Sequence, residues 1–334
     1  MEIFAGTKNG IHRVSAQQVT QVADCPSVRD LRVVGDRLFA ASGDGVYESQ
    51  DGGQNWRRTG LSGLEVWQIR ASSEGLIYAV TQPAGLYRSN DGGESWSAVE
   101  AFANYPGAED WCVPIEPPLP GRARTLVIDK TDASRLWVGV EVGGVMVTSD
   151  GGESWQLIRP GENPDIHMLV AHPENPDELY VSTGYGREDG IAEKKEGNAG
   201  VFRTTDGGLS WRYAWQSVTP RYTRPLCIDP RPPYPLTVAS APSPFSAHTD
   251  PGGAGAYLFR SDDRGGSWRS LCDDEHSPSK ANFHGLAPAA DAPGSVLVGT
   301  GTGELWRVDS NARWEQQATG LSWVMSVLDT HLKL

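Results

Sequence analysis

An all-β chain folded as a single seven-bladed β-propeller is what this sequence predicts, and three observations carry the prediction. An octet with Asp at its third position and Trp at its eighth recurs six times along the chain. A strand-turn-strand couplet precedes each octet, and a further apolar strand precedes each couplet. The first couplet, at residue 3, has no such strand before it, and the last such strand, at 322–328, has no couplet after it. Joining those two ends closes a ring, which leaves no blade with an uncovered face.

The octets run in order SQDGGQNW at 49–56, SNDGGESW at 89–96, TSDGGESW at 148–155, TTDGGLSW at 204–211, SDDRGGSW at 261–268 and a worn RVDSNARW at 307–314. Asp-Gly and Gly-Gly between strands mark a tight turn that needs positive φ. The carboxylates of Asp51, Asp91, Asp150, Asp206, Asp263 and Asp309 are therefore read as acceptors for N–H groups of their own turns, not as catalysts or calcium ligands. Each Trp is read as a buried plug. The couplets include LFAASGDGVYES, IYAVTQPAGLYRS, LWVGVEVGGVMVTS and VLVGTGTGELWRV, with IFAGTKNGIHRV at 3–14 as the seventh. His12 stands there where Tyr47 and Tyr87 stand in later copies, so it is expected to pack in the core. The leading strands are VRDLRVV, VWQIRAS, ARTLVID, IHMLVAH, TRPLCID, FHGLAPA and SWVMSVL. Successive octets lie about 52 residues apart, so residues 1–334 form one domain, with blade 1 built from about 1–25 plus 321–330.

Composition agrees with this and excludes other classes. The 39 glycines in 334 residues are about 12%, against a usual ~7%. Five octets account for ten of them, and six of the 12 tryptophans are octet plugs. A formal net charge of −13 excludes a general nucleic-acid or anionic-membrane surface. No apolar run is long enough to span a membrane. The opening MEIFAGTKNG has neither a positive n-region nor an apolar h-region, so the cytoplasm is the expected location. Cys25, Cys112, Cys227 and Cys272 lie far apart, with neither disulfide nor zinc spacing. A monomer without cofactor is expected.

The pattern S/T-x-D-x-G-x-x-W, repeated over nearly the whole chain, resembles the BNR/Asp-box repeat family. That family includes sialidases, xyloglucan-cleaving hydrolases, sortilin-type receptor domains and photosystem II assembly factors. The resemblance implies a β-propeller and leaves the activity open. The chain has no Arg-Ile-Pro motif and shows seven blades, so it is not a typical sialidase. It has no N-x-Ser/Thr site and no paired cysteines, which argues against a receptor ectodomain.

The octet turns occupy one face of such a propeller. The long loops at 97–122, 184–199 and 241–256 occupy the other, where function is expected. The leading strands start at that face. Aligned on Leu31, Ile69, Leu126, Leu169, Leu226, Leu286 and Met325, they carry two residues earlier Arg29, Trp67, Arg124, His167, Arg224, His284 and Trp323. Period-two alternation puts these seven on one strand face, around the channel mouth. Arginine presents a planar fork for carboxylate, sulfate or phosphate, and Trp67 and Trp323 offer walls for a sugar or aromatic ring. The alternative is a wet channel lined by solvated side chains. Tyr185 and Arg187, in GYGRED, flank His167 as further ligand candidates. In the 97–122 loop, Asp110, with Glu109 and Trp111 beside it, is a candidate acid. Glu188, Asp189, His248 and Asp250 are weaker ones. No HxH or HxxxH spacing occurs and no Asp or Glu shares the ring position, so no metal is expected.

Two functions follow as expectations. One is a soluble propeller that binds a small anionic ligand, an acidic sugar or carboxylate, at the mouth. As an enzyme it would be a glycosidase-like hydrolase or a lyase, with His167 or His284 as acid or base and Tyr185 assisting. The other is a non-catalytic scaffold that grips a protein segment with the same face.

Overall fold

The computed structural model describes residues 2–15, 18–186 and 192–332. Over these residues the chain forms seven four-stranded antiparallel sheets arranged as blades of one propeller. The second blade shows the plan. Its inner strand Asp30–Val34 pairs with Arg37–Ser42, then Gly45–Ser49, then the outer strand Arg57–Gly60. The ring closes through strand Val324–Asp329, which pairs with Ile3–Thr7 in the register Ile3↔Asp329. Two short helices, Glu100–Ala103 and Ser246–Thr249, and a two-stranded pair, Cys112–Val113 with Leu119–Pro120, elaborate the long loops.

The octets form the turns between third and fourth strands, as their spacing predicts. In the first, Asp51 Oδ1 accepts from the N–H of Gln54 and Asn55 at 3.0 and 2.9 Å and from the Ser49 hydroxyl at 2.8 Å. The N–H of Asn55 and the hydroxyls of Ser95 and Ser210 draw the carboxyls of Asp51, Asp91 and Asp206 down to about 2. All these acceptor sites are used by the turns themselves. The indole N–H of Trp56, Trp96, Trp155 and Trp211 donates to the second glycine's carbonyl in its own turn. The two irregular octets differ. Trp268 donates instead to Ala214 O, and Trp314 to Leu271 O, each in the preceding blade. Loss of the regular Gly-Gly geometry in those turns is thus offset by a hydrogen bond between blades.

The two glycines of a turn are not equivalent. Gly52 and Gly53 both have positive φ, +70° and +86°. A Cβ on Gly52 would meet open space, whereas one on Gly53 would lie 2.3 Å from the Phe4 ring of the neighbouring blade. Phe4 is fully buried and packs edge-on against Trp56, with ring centroids 6.3 Å apart. Gly52→Ala is therefore expected to cost about 1 kcal/mol, from left-handed backbone alone. Gly53→Ala is expected to cost about 3 kcal/mol, because overpacking against a fully buried ring adds to that strain. Urea denaturation of the two variants checks the difference.

Candidate functional site

Six of the seven inner strands contain a β-bulge near their start. The unpaired residues are Trp67, Arg124, His167, Arg224 with Pro225, His284 and Met325. A bulge leaves a residue outside the ladder and re-aims its side chain. Here the re-aimed side chains converge on the axis. Arg29, in the remaining blade, sits just before its strand, its N–H donating to Ala41 O at 2.8 Å. In the closing strand the bulge residue is Met325, so the alignment that equated Trp323 with the other ring positions is off there by two residues. Trp323 reaches the mouth from the loop before the strand and remains 37% exposed.

A cavity of about 360 Å³ fills the mouth, and Arg29, Trp67, Arg124, His167, Arg224, His284 and Trp323 all line it. A second cavity of about 570 Å³ continues down the axis. Arg29, Gln68, Met168, Pro225, His284 and Met325 line both and form the waist between them. The Gln68 amide spans this waist. Its Nε2 lies 3.1 Å from Met168 Sδ and its Oε1 accepts from Leu126 N–H at 2.9 Å.

Two of the three ring arginines are paired locally. Arg29 pairs with Glu65, and Glu141 Oε2 accepts from Arg122 at 3.1 Å and Arg124 at 3.3 Å. His167 Nδ1 lies against Thr223 O, which can only accept, so that nitrogen carries a proton. Its Nε2 faces Asp165 Oδ1 at 3.1 Å and the Tyr222 hydroxyl at 3.3 Å. Burial alone would raise the carboxyls of Glu141 and Asp165. The Arg124 and Arg122 guanidiniums hold Glu141 below its ordinary value, and His167 with Arg124 does the same for Asp165. Trp67 is the hub of this half. The guanidinium carbons of Arg29, Arg124 and Arg122 lie 3.9, 4.9 and 5.3 Å from its ring centre. With cations already against it, this indole is not a free wall for a sugar.

The other half is unmatched. Arg224 has no ion-pair partner among the described residues, its Nε is buried without a hydrogen-bond acceptor, and its guanidinium stands 5.2 Å from the Tyr222 ring. His284 packs edge-on against Trp323, ring centroids 4.6 Å apart. Burial and the nearby Arg224, Arg124 and Arg29 charges push its pKa well below the usual imidazole value, so it is neutral at pH 7.

Other sequence candidates lie elsewhere. Tyr185 is buried in a small cluster with Tyr222 and Ala199, behind the cavity wall. Its hydroxyl is raised by burial, and its ring supports Tyr222, which in turn backs His167. Asp110 is exposed on the single turn Ala108–Asp110 and does not line the cavity. Glu109 is exposed beside it, while Trp111 packs against Phe102 and Tyr105. His248 and Asp250 are exposed at the helix Ser246–Thr249. Arg187, Glu188 and Asp189 lie outside the described residues.

Three carboxylates and one guanidinium at the mouth escaped the sequence alignment: Glu65, Glu141, Asp165 and Arg122. Glu65, Arg122 and Asp165 each stand two residues before a ring residue, so one more step of the same alternation points to them. Glu141 ends the second strand of its blade, opposite Arg122 in register. Glu141, Asp165 and His167 bring ligand-type atoms within 4.8 Å of one another. They fit a metal poorly. Glu141 is engaged by two guanidiniums, His167 Nε2 faces Asp165, and a dication would stand beside Arg122 and Arg124.

Among solved structures, the GH74 xyloglucanase of Xanthomonas campestris is 21% identical with a TM-score of 0.69, over 96% of this chain and 52% of that one. An ancestral GH74 enzyme is 16% identical with a TM-score of 0.60, over 94% and 40%. The chain thus spans about half the length of these enzymes or less. YCF48 bound to D1 peptide is 18% identical with a TM-score of 0.55, over 87% and 80%. These likenesses are of fold. No curated protein matches the chain significantly. Residues 6–251 match the family described as the DUF6242 beta propeller domain, and the chain belongs to that family.

Proposed function

We propose that the protein binds a small anionic ligand at the channel mouth and is not a hydrolase of the two-carboxyl type. The observation that carries this is Arg224, a guanidinium facing a 360 Å³ cavity with no carboxylate partner among the described residues. This guanidinium is partly exposed to the cavity, and an incoming anion supplies the carboxylate-like partner that the described residues do not. Glycoside hydrolysis needs one carboxyl held protonated as an acid. Glu141 and Asp165 are both held ionised, which counts against that route. We also read the octet repeats as Asp boxes of the BNR type, on the hydrogen-bonding pattern of their turns.

A thermal-shift screen of carboxylates, phosphate and sulfate is the test, because a ligand of the native state raises Tm by mass action. At least one anion is expected to raise the Tm, and Arg224→Gln is expected to remove that rise while leaving the unliganded Tm near wild type. An anion response that survives in Arg224→Gln overturns the assignment. A second reading, a grip on a protein segment, has its own support. Trp323, Phe245 and Ile115 are exposed on loops of the mouth face, and one fold neighbour is a YCF48 bound to a peptide.

A further inference from the structure

The mouth is lopsided, and the asymmetry says more than its net charge. Around Trp67 the cations and carboxylates pair with each other: Arg29 with Glu65, Arg122 and Arg124 with Glu141. That half is closed to a new anion, which would have to displace a buried carboxylate. Arg224, His284 and Trp323 form the open half, with the exposed Lys8 at its rim, its backbone N–H on Trp323 O.

Resting on the anion-binding reading above, we propose that this half is a subsite for a hydroxylated monocarboxylate of sugar-acid size. Its carboxylate lies on the Arg224 guanidinium, one hydroxyl on His284 and a C–H face on Trp323.

Each contact follows from what the side chain offers. Arg224 has a planar fork of N–H donors, which matches the two coplanar oxygens of a carboxylate. The neutral His284 ring carries one N–H and one lone pair, with no partner for either among the described residues, so a group that both donates and accepts suits it better than one that only accepts. A sugar hydroxyl does both; sulfate has no proton to give. Trp323 is the one ring indole with free surface, since the Trp67 ring carries three guanidiniums. A cavity of about 360 Å³ is of the size that holds small molecules, about 300–1,000 Å³.

Titration calorimetry on the full chain tests this with four probes: glucuronate, glucose, cyclohexanecarboxylate and sulfate. Glucuronate is expected to bind at least about tenfold more tightly than any of the others, the scale of one hydrogen bond to a polar or charged group. His284→Phe is expected to weaken glucuronate about tenfold and leave cyclohexanecarboxylate unchanged, which a merely structural role for the ring would not do. Trp323→Ala weakens both. Sulfate binding as tightly as glucuronate overturns this inference while leaving the anion reading intact. Binding of none of the three anions overturns both. If His284→Phe does not fold, the ranking of the four probes on the wild-type chain decides.

Discussion

A variant truncated after Ser322 is expected to be unfolded or aggregated at room temperature. By contrast, a circular permutant that begins at Gly320 and joins the C-terminal end to Glu2 by a short glycine linker is expected to melt within a few degrees of wild type. The truncation removes strand Val324–Asp329 and with it Val324, Val327 and Leu328, all buried. Full burial of such side chains is worth about 1.5–3 kcal/mol each, so about 5–9 kcal/mol is lost. That matches the whole stability of an ordinary protein, about 5–15 kcal/mol. It also exposes the edge of Ile3–Thr7, a run of buried residues that would then template pairing with other chains. The hydroxyl of Ser326, which donates to Val28 O at 2.9 Å, and the carboxylate of Asp329, which accepts from Ala290 N–H at 2.9 Å, go too. The permutant keeps every one of these contacts. Its new junction is short, because the N–H of Thr330 already reaches Glu2 O at 3.3 Å. Circular-dichroism melts of both variants decide it. A stable truncated protein would mean that ring closure is not what holds the seven blades together.

Glu141→Gln is expected to cost about 3 kcal/mol, the scale of breaking a buried ion pair by removing one partner. Glu141 is 7% exposed and is the shared acceptor for Arg122 and Arg124. The amide keeps the shape and loses the charge, leaving two guanidiniums beside Trp67 with no carboxylate between them. Arg122→Gln in the same background is expected to recover part of the loss, since one unmatched charge is then removed. A double-mutant cycle by urea denaturation should show a coupling above about 1 kcal/mol for residues that share one network. Additive effects would show that the two guanidiniums do not depend on Glu141 and that cavity water solvates them instead.

How much of the site could be read in advance depends on the kind of contact that makes it. The seven ring positions came from period-two alternation counted from apolar anchors, a rule local to each strand. It placed Arg29, Trp67, Arg124, His167, Arg224 and His284 together because their strands share one plan. It slipped at Trp323 because the closing strand bulges at Met325, and a bulge is set by the strand it pairs with. Tyr185 sat close to His167 in the expected topology, yet its ring turns behind Tyr222 into a buried cluster. Asp110, a candidate acid by its place in a long loop, is held by that loop at the surface. The loop's aromatic residues Phe102, Tyr105 and Trp111 pack inward.

The sequence by itself determined the propeller, the number of blades and the closure of the ring. Those features rest on repeats whose turns are made from residues within eight positions of each other, and on hydrophobic alternation within single strands. Only the tertiary structure decided the electrostatics of the mouth. Which guanidinium is matched and which is not depends on carboxylates brought in from other strands: Glu65 to Arg29, and Glu141 to Arg122 and Arg124. The sequence predicted a cationic mouth ringed by three Arg, two His and two Trp. Folding divides it into a half around Trp67 where every guanidinium has a carboxylate partner and an open half around Arg224, because charge pairing acts over a few ångströms in space while the strands that supply the partners lie tens of residues apart in the chain.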